Sequence, residues 1–237
     1  MKRTIPVKVK TKIKGTFLGQ IYFVLLSLFL SINPRVKFYG QCGEDKLLSK
    51  YLPEPNGLYL DIGAGQPVRG SNTYYFYKKG WSGVLIEPID FNVKLLKLFR
   101  RKDLIIQKLV GQSKRPVIFY EFIPTEYSTT IKVVADDLIN QGKSFRKSYP
   151  VDSTSVSDLD IFANPLDPSL LSIDVEGADF EVLNSINWSS FKPRVICIEA
   201  SGGQNSKLIR EKLESENYCL VDDSGVSKIY LHNSYVA

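Results

Sequence analysis

The sequence predicts an α/β fold in which a mostly parallel sheet is covered by helices on both faces. Two observations lead to this prediction. Short, continuously apolar segments alternate with amphipathic segments along most of the 237 residues, which is typical of buried parallel strands joined by helical crossovers. Four of the apolar segments also have an acidic residue at their end or just beyond it. The length suits one well-buried domain with a short extension.

Eight segments are predicted to be strands. The first three are short apolar segments of the kind that is buried on both faces, and a fourth, after Pro116, is expected to lie at an edge. Two more buried segments follow, and the last two form a pair around the turn at Ser224-Gly225. The predicted strands are 58–62, 83–87, 104–110, 117–123, 170–174, 195–199, 218–222 and 228–232.

Six segments are predicted to be helices, because their apolar residues recur three and four positions apart. The first is followed by a proline- and glycine-containing break at 53–57, and the second ends at Gly80, a typical C-terminal signal. The predicted helices are 44–51, 73–79, 91–101, 131–141, 179–186 and 208–217.

The positive charge of the chain is concentrated at its start. The net charge is +6, from 31 lysines and arginines against 25 aspartates and glutamates. Residues 1–14 contain six of the basic residues and no acidic one, so the rest of the chain is neutral. A neutral body offers little general attraction to a phosphate backbone, and no nucleic-acid partner is expected.

Residues 1–35 are predicted to form a segment apart from the domain at 36–237. The basic stretch precedes an apolar stretch at 16–32, which is short for a membrane span and is interrupted by polar residues. Three interpretations remain open: an anchor that lies on or crosses a membrane, a helix packed on the domain, and a cleaved secretory signal. Lysine-rich flanks favour an anionic membrane surface as a partner of residues 1–32.

The cysteines favour a reducing compartment. Cys42, Cys197 and Cys219 are far apart in the sequence, and their number is odd. Such a pattern is typical of reduced thiols. We therefore expect a cytoplasmic protein, associated with a membrane if the N-terminal segment anchors it.

Four acidic residues lie at or near the ends of predicted parallel strands: Asp61, Glu87, Asp174 and Glu199. In open α/β sheets, ligands bind beyond the carboxyl ends of the strands. A buried carboxylate without a partner is costly, so stability alone does not explain four such acids. We expect the four side chains to converge on one binding site.

The turn after Asp61 indicates the kind of cofactor. Gly63 and Gly65 allow the backbone to approach a ligand closely, and Glu87, at the end of the next strand, can accept both hydroxyls of a ribose. A dinucleotide-binding fingerprint has a third glycine, but Val68 stands at that position. S-adenosylmethionine, which has a ribose and no pyrophosphate, fits better. Asp61 would then hold its amino-acid end, directly or through water.

Several motifs within residues 38–200 resemble those of the FkbM-type methyltransferases. The motifs, in chain order, are Gln41-x-Gly43-Glu44-Asp45, Tyr59-x-Asp61-Ile62-Gly63-Ala64, Ser71-Asn72-Thr73, Lys79-Gly80-Trp81-x-Gly83, Glu87-Pro88, Ser172-Ile173-Asp174-Val175-Glu176-Gly177, Glu181-Val182-Leu183, Trp188, and Pro193-x-Val195-Ile196 with Glu199. The chain departs from many relatives at Pro67, where some have glycine, and at Asp179, where many have glutamate.

The resemblance implies a class I methyltransferase fold, which is Rossmann-like with a seven-stranded sheet. It also implies transfer of a methyl group from S-adenosylmethionine to a hydroxyl, often of a sugar in a glycan or a glycosylated metabolite. The candidate cofactor-binding residues are Asp61, Gly63, Ala64, Gly65, Asn72, Glu87 and Pro88.

Asp174, Glu176 and Glu199 are the candidate catalytic residues. An acceptor hydroxyl must be positioned and usually loses a proton to a base. The only histidine, His232, lies in a predicted strand near the C-terminus, so a carboxylate is the better candidate. Two clustered carboxylates can hold one proton between them. Alternatively, Asp174 and Glu199 bind Mg²⁺ or Ca²⁺, or Asp174 caps the following helix.

Two further polar motifs each have two interpretations. Glu44 and Asp45 either cap a helix or line the acceptor site. The Tyr-Ser-Thr-Thr motif at 127–130 either caps the helix at 131–141 or faces the acceptor as part of a lid, because residues 111–168 are many for a simple crossover.

Two other functions remain open. A nicotinamide-dependent oxidoreductase would use the same strand ends, although the third glycine is missing and no tyrosine–lysine pair lies in a suitable place. A non-catalytic protein of glycan assembly could keep the same fold, although the four acids at the strand ends argue against a decayed site.

Overall fold

The computed structural model describes residues 17–112, 114–159, 169–200 and 203–236. The basic stretch at 1–14 lies outside the described residues. The strands are β1 (Leu58–Ile62), β2 (Ser82–Ile86), β3 (Leu104–Ile106), β4 (Leu109–Val110), β5 (Val117–Ile123), β6 (Ser144–Val151), β7 (Ser153–Thr154), β8 (Leu170–Ile173), β9 (Val195–Glu199), β10 (Tyr218–Asp223) and β11 (Ser227–His232). The helices are α1 (Phe17–Ile32), α2 (Glu44–Tyr51), α3 (Tyr74–Lys79), α4 (Asp90–Phe99), α5 (Lys132–Asn140), α6 (Asp179–Asn184) and α7 (Gly203–Ser215).

Seven strands form one sheet in the order β10-β11-β9-β8-β1-β2-β3. Neighbouring strands from β9 to β3 run parallel, whereas β11 is antiparallel to both of its neighbours. This topology confirms the predicted class I fold with a mostly parallel seven-stranded sheet. The strands β9, β8, β1 and β2 are consecutive in the sheet, and their carboxyl ends therefore lie side by side.

Apolar side chains cover both faces of the sheet. Along β1, Leu60 and Ile62 pack in a cluster that includes Val182 of α6. Tyr59, between Leu60 and the start of the strand, packs in a second cluster that includes Leu48 of α2. Because successive side chains of a strand point to opposite faces, the two clusters lie on opposite sides of the sheet.

The third predicted strand, 104–110, is two strands in the structure. β3 ends at Ile106 within the main sheet, and β4 pairs with β7 instead. The prediction of one continuous strand was wrong here. The polar pair Gln107-Lys108 interrupts the apolar segment, and the chain leaves the sheet at that point.

A two-stranded sheet of β5 and β6 lies apart from the main sheet. β5 is the predicted strand at 117–123, but its antiparallel partner β6 was not predicted. Six of the eight residues of β6 are exposed, so the segment shows no alternation of apolar and polar residues. The sequence pattern depends on a buried face, which β6 lacks.

One side of α1 packs on the domain. Phe23 and Ser27 are buried, and Leu30 packs against a small cluster that contains Tyr39 and Tyr74. Among the described residues, no helix combines the length and the apolar character that a membrane crossing requires.

Candidate active site

A cavity of about 930 Å³ lies at the carboxyl ends of β1, β2, β8 and β9. The loops that follow these strands line it, together with α1 and the segment at 124–128. Among the candidate site residues, eight line the cavity: Gly63, Ala64, Gly65, Glu87, Pro88, Asp174, Glu176 and Glu199.

The turn after β1 is fixed against the end of β8. Gly63 has a φ of +78°, and a Cβ atom at this position would lie 1.9 Å from the carbonyl oxygen of Asp174. The amides of Gly63 and Ala64 donate to the carbonyl of Ile86 at 2.9 and 3.1 Å. Only glycine fits at residue 63, and the turn therefore presents backbone atoms to the cavity.

Glu87 is held by three hydrogen bonds. Its carboxylate accepts the backbone amides of Gly65 and Ile89, each at 2.9 Å, and the side-chain amide of Asn92 at 3.2 Å. Burial raises the pKa of Glu87, while these hydrogen bonds oppose the rise. Each carboxylate oxygen can accept more than one hydrogen bond. The side chain is thus fixed in orientation and can still accept a hydroxyl from a ligand.

Asn92 is a site residue that the sequence did not indicate. Its side chain is 2% exposed and lines the cavity beside Glu87. The Nδ2 group donates to Glu87, whereas Oδ1 has no hydrogen-bond partner among the described residues. A buried amide oxygen without a partner is costly. No spacing in the sequence distinguishes this amide from the other polar residues of the amphipathic helix.

Asp61 and Asn72 lie behind the turn and do not line the cavity. The hydroxyl of Thr73 donates to Asp61 at 2.6 Å, and the guanidinium of Arg100 donates to the same Thr73 oxygen at 3.0 Å. Asn72 donates to the hydroxyl of Ser172 at 3.3 Å. These contacts stabilise the turn after β1 on the side away from the cavity. A direct contact of either residue with the cofactor stays a prediction.

Asp174, Glu176 and Glu199 line one part of the cavity. Burial, and then the neighbouring acids Glu199 and Glu176, raise the pKa of Asp174 well above its usual range. The proximity of Glu199 therefore favours the protonated form of Asp174. Burial and the charges of Glu199 and Asp179 raise the pKa of Glu176 to about 8. Of the four strand-end acids that were expected to converge, Glu87, Asp174 and Glu199 line this cavity together with Glu176, whereas Asp61 does not.

A strained turn holds Glu176 in place. The φ of Glu176 is +55°, which is unfavourable for a residue other than glycine. The carboxylate of Asp179 accepts the amides of Val175 and Gly177, both at 3.1 Å. The interpretation of Asp174 as a helix cap was wrong, because the N-cap of α6 is Ala178. Asp179 is the residue that fixes the start of this helix.

The described residues contain no group of three or more histidine, cysteine, aspartate or glutamate side chains arranged to hold a metal ion. The binding of Mg²⁺ or Ca²⁺ by Asp174 and Glu199 stays a prediction.

The sequence model of the FkbM methyltransferase domain family matches residues 61–220 of the chain. The chain belongs to this family. Membership confirms the predicted family and, with it, the class of enzyme, a methyltransferase that depends on S-adenosylmethionine. It argues against a nicotinamide-dependent oxidoreductase.

Solved methyltransferase structures resemble the chain only weakly. A 1,6-didemethyltoxoflavin-N1-methyltransferase from Burkholderia thailandensis has a TM-score of 0.41 and 12% identity, covering 98% of this chain and 91% of that one. A TehB-like S-adenosylmethionine-dependent methyltransferase from Corynebacterium glutamicum has a TM-score of 0.46 and 13% identity, with coverages of 90% and 97%. No curated protein matches the sequence significantly.

The remaining walls of the methyltransferase cavity include the motif at 127–130. Tyr127, Ser128 and Thr130 line the cavity. The N-cap of α5 is Ile131, which has no side-chain cap, so the interpretation of the motif as the helix cap was wrong. Ser128 instead accepts the amide of Phe122 at 3.0 Å, which ties the motif to β5.

Glu44 and Asp45 hold part of the cavity wall in place without lining the cavity. Neither caps α2, whose N-cap is Gly43 without a side-chain hydrogen bond. Asp45 accepts the amide of Tyr39 at 2.5 Å, and Glu44 accepts that of Cys42 at 2.8 Å. The segment between these amides contributes to the cavity of the methyltransferase. The two acids therefore position this wall and do not line it.

Proposed function

We propose that this methyltransferase transfers the methyl group of S-adenosylmethionine to a hydroxyl oxygen of a saccharide, in a glycan or a glycosylated metabolite. One observation carries the proposal: the cluster of Asp174, Glu176 and Glu199, in which the pKa values of Asp174 and Glu176 are raised, lines the same cavity as the carboxylate of Glu87. A hydroxyl is a poor nucleophile until a base removes its proton. The cluster supplies such a base.

The cofactor half of the cavity fits an adenosine sugar. Glu87 has a fixed orientation and one remaining acceptor site for a ribose hydroxyl, and the turn at Gly63 and Gly65 lets a ligand approach the backbone. When bound there, the cofactor supplies an electrophilic methyl group on a sulfonium. The nearby carboxylates are complementary to its positive charge, which favours their ionised forms.

Glu176 is the base that the electrostatics favour. Its pKa of about 8 is closer to that of a hydroxyl than the pKa of an ordinary glutamate. The acceptor oxygen forms the new O–C bond while the C–S bond breaks, and the hydroxyl proton passes to the Glu176 carboxylate. Asp174 and Glu199, which line the same part of the cavity, position the acceptor beside it.

The other half of the cavity suits a polyhydroxylated acceptor. Gln41, Ser128 and Thr130 offer polar side chains for hydroxyl groups, and Tyr127 offers a ring on which a sugar can stack. A cavity of about 930 Å³ lies near the upper end of the range for ligand sites, which leaves room for an acceptor beside the cofactor.

Substitution of Glu87 should affect cofactor binding, whereas substitution of Glu176 should affect methyl transfer. Glu87→Ala and the milder Glu87→Gln should weaken binding of S-adenosylhomocysteine in calorimetry, by about 100-fold and about 10-fold. Glu176→Gln should keep that affinity and lower methyl transfer by about 100-fold or more. Glu211→Gln, an exposed acid on α7, is the matched control.

Radiolabelled methyl transfer to a panel of methyl glycosides measures the activity. Product analysis should find the label in an ether. A label on nitrogen or carbon, or full activity of Glu176→Gln, contradicts the proposal.

We also propose that the protein works in the cytoplasm and that residues 1–32 contact a membrane surface. The support is the six basic residues at 1–14, which are attracted to anionic lipid head groups. The full chain should sediment with vesicles of phosphatidylcholine and phosphatidylglycerol, and less so at high salt, which screens exposed charges. Sedimentation that is the same with pure phosphatidylcholine contradicts this proposal.

A further inference from the structure

The exposed side of α1 is a continuous apolar surface. Six large apolar side chains of this helix are between 40% and 69% exposed: Ile21, Tyr22, Leu25, Leu28, Phe29 and Ile32. They recur at intervals of three and four residues, so they occupy a single stripe of about a third of the helix circumference. We call these six residues the α1 stripe. A stripe of this kind on a surface helix indicates a partner.

The same helix forms part of the cavity wall. Leu26 and Leu30 line the cavity, while Phe23 and Ser27 are buried against the domain. On a helical projection, Leu26 and Leu30 lie between the α1 stripe and the buried side. One edge of the stripe therefore borders the wall of the active-site cavity.

The charge of the preceding residues identifies what covers the stripe. The chain enters α1 from a stretch with six lysines and arginines and no acid. An apolar helix face next to such a stretch is complementary to an anionic membrane, where apolar side chains enter the interface and basic groups meet lipid head groups. A second copy of the chain would instead bring two basic stretches together.

We propose that the α1 stripe lies in the interface of an anionic membrane and that the cavity takes an acceptor held in that membrane, a lipid-linked saccharide. This inference rests on the proposed transfer to a saccharide hydroxyl and names the class of its acceptor.

The cavity wall is consistent with an amphiphilic acceptor. On the α1 side, Leu26, Leu30, Val36 and Phe38 give the cavity an apolar wall. The carboxylates Asp174 and Glu176 lie in the part of the cavity that follows β8. The sugar reacts at the carboxylates, and the portion next to the lipid contacts the apolar wall. The transfer itself is unchanged: the hydroxyl oxygen gains the methyl group and loses its proton to Glu176.

The test compares one sugar in two settings. The full chain is given labelled S-adenosylmethionine and either dodecyl glycosides in phosphatidylcholine–phosphatidylglycerol vesicles or the matching methyl glycosides in solution. We expect transfer to the membrane-held glycoside to be at least tenfold faster. The variant Leu25→Ser/Phe29→Ser/Ile32→Ser should lose this excess and should no longer sediment with the vesicles.

Two controls exclude a damaged fold. Val133→Ser/Ile139→Ser changes apolar side chains of α5 that are also exposed, and it should behave as the unchanged protein. The stripe variant should retain its affinity for S-adenosylhomocysteine and its melting temperature.

Equal rates for the two glycosides, or vesicle binding that survives in the stripe variant, overturn the inference and leave the proposed function standing. A stripe-dependent dimer in the absence of vesicles also overturns it. Stripe-dependent vesicle binding without transfer to any glycoside refutes the proposed saccharide acceptor, and this result is distinguishable from the other outcomes.

Discussion

The acids at the ends of β1 and β8 have opposite surroundings. Around Asp61, Thr73 donates a hydrogen bond and the buried cation Arg100 lies close by, paired with Asp103 at 2.8 Å. Burial raises the pKa of Asp61, but Thr73 and Arg100 oppose the rise. Around Asp174, the leading influences are burial and the charges of three other acids, and all of them raise its pKa.

This difference distinguishes an acid that stabilises the structure from acids that are candidates for the reaction. A buried charge that is paired and hydrogen-bonded is part of a structural network. Carboxylates that are placed together without such compensation are kept at a cost to stability, which is typical of functional sites. By this criterion, the network around Asp61 stabilises the turn after β1, and the cluster after β8 is the candidate for the proposed reaction.

Removal of Arg100 should have the largest effect on stability. The side chain is fully buried and also donates to the hydroxyl of Tyr59 at 2.9 Å. Arg100→Met leaves Asp61 and Asp103 buried without a cation, so we expect the free energy of unfolding to fall by about 3–5 kcal/mol. Urea denaturation measures it.

The neighbouring arginine is a matched control for this variant. Arg101 is exposed, and Arg101→Met should change the free energy of unfolding by less than about 0.5 kcal/mol. A loss below about 1 kcal/mol in Arg100→Met would mean that the network does not compensate the buried acids, and the comparison would fail.

These two arginines also illustrate what the sequence could not predict. Arg100 and Arg101 are identical in kind and adjacent, yet one is fully buried and the other exposed. The helical spacing from Val93 and Leu96 places Arg100 on the buried face, but the sequence does not identify Tyr59 and Thr73 as its partners, because they are distant in the chain. The same limit applies to Asp61, whose position was predicted correctly but whose carboxylate faces this network and not the cavity.

The main sheet and the convergence of acids were predictable for a physical reason. Strands buried on both faces are continuously apolar, so an acid that ends such a segment stands out in the sequence. All three acids of the cluster, Asp174, Glu176 and Glu199, were found in this way or by their spacing in the family motif. β6 was missed because its residues are mostly exposed, and Asn92 was missed because a single amide in an amphipathic helix has no distinctive spacing.

The acid cluster should make stability depend on pH in a predictable direction. The pKa of Glu176 in the folded protein is about 8, above its ordinary value of 4.5. The folded protein therefore keeps a proton that the unfolded chain releases. Between about pH 4.5 and 8 the free energy of unfolding should fall as the pH rises, by at most about 1.4 kcal/mol per pH unit from this group.

Glu176→Gln tests the contribution of this one carboxyl. The amide cannot release a proton, so the fall in stability across the window should become shallower. Part of it should remain, because burial also raises the pKa of Asp179 to about 6. Urea denaturation at a series of pH values measures the slope, and Glu211→Gln is the surface control. Parallel curves for Glu176→Gln and the unchanged protein would show that the cluster is not protonated as proposed.

Substitution of Asn92 should have the smallest effect. It acts on Glu87, whose surroundings are intermediate between those of Asp61 and those of Asp174. Glu87 is buried like Asp61, but its partners are neutral amides, two from the backbone and one from Asn92. Asn92→Leu removes one donor to Glu87 and the unpartnered Oδ1 atom. Because the two backbone amides still orient Glu87, we expect binding of S-adenosylhomocysteine to weaken by only about 5- to 10-fold, or about 1 kcal/mol.

Calorimetry on Asn92→Leu, alone and combined with Glu87→Gln, distinguishes two roles of Asn92: orienting the carboxylate of Glu87, or also contacting the cofactor. If Asn92 only orients the carboxylate, its loss should have no further effect in the Glu87→Gln background. If Oδ1 also accepts a hydrogen bond from the cofactor, the two losses should add, because they then remove separate contacts. Unchanged affinity in Asn92→Leu would contradict both roles, and Glu87 would then be held by the backbone alone, as a third kind of acid in this sheet.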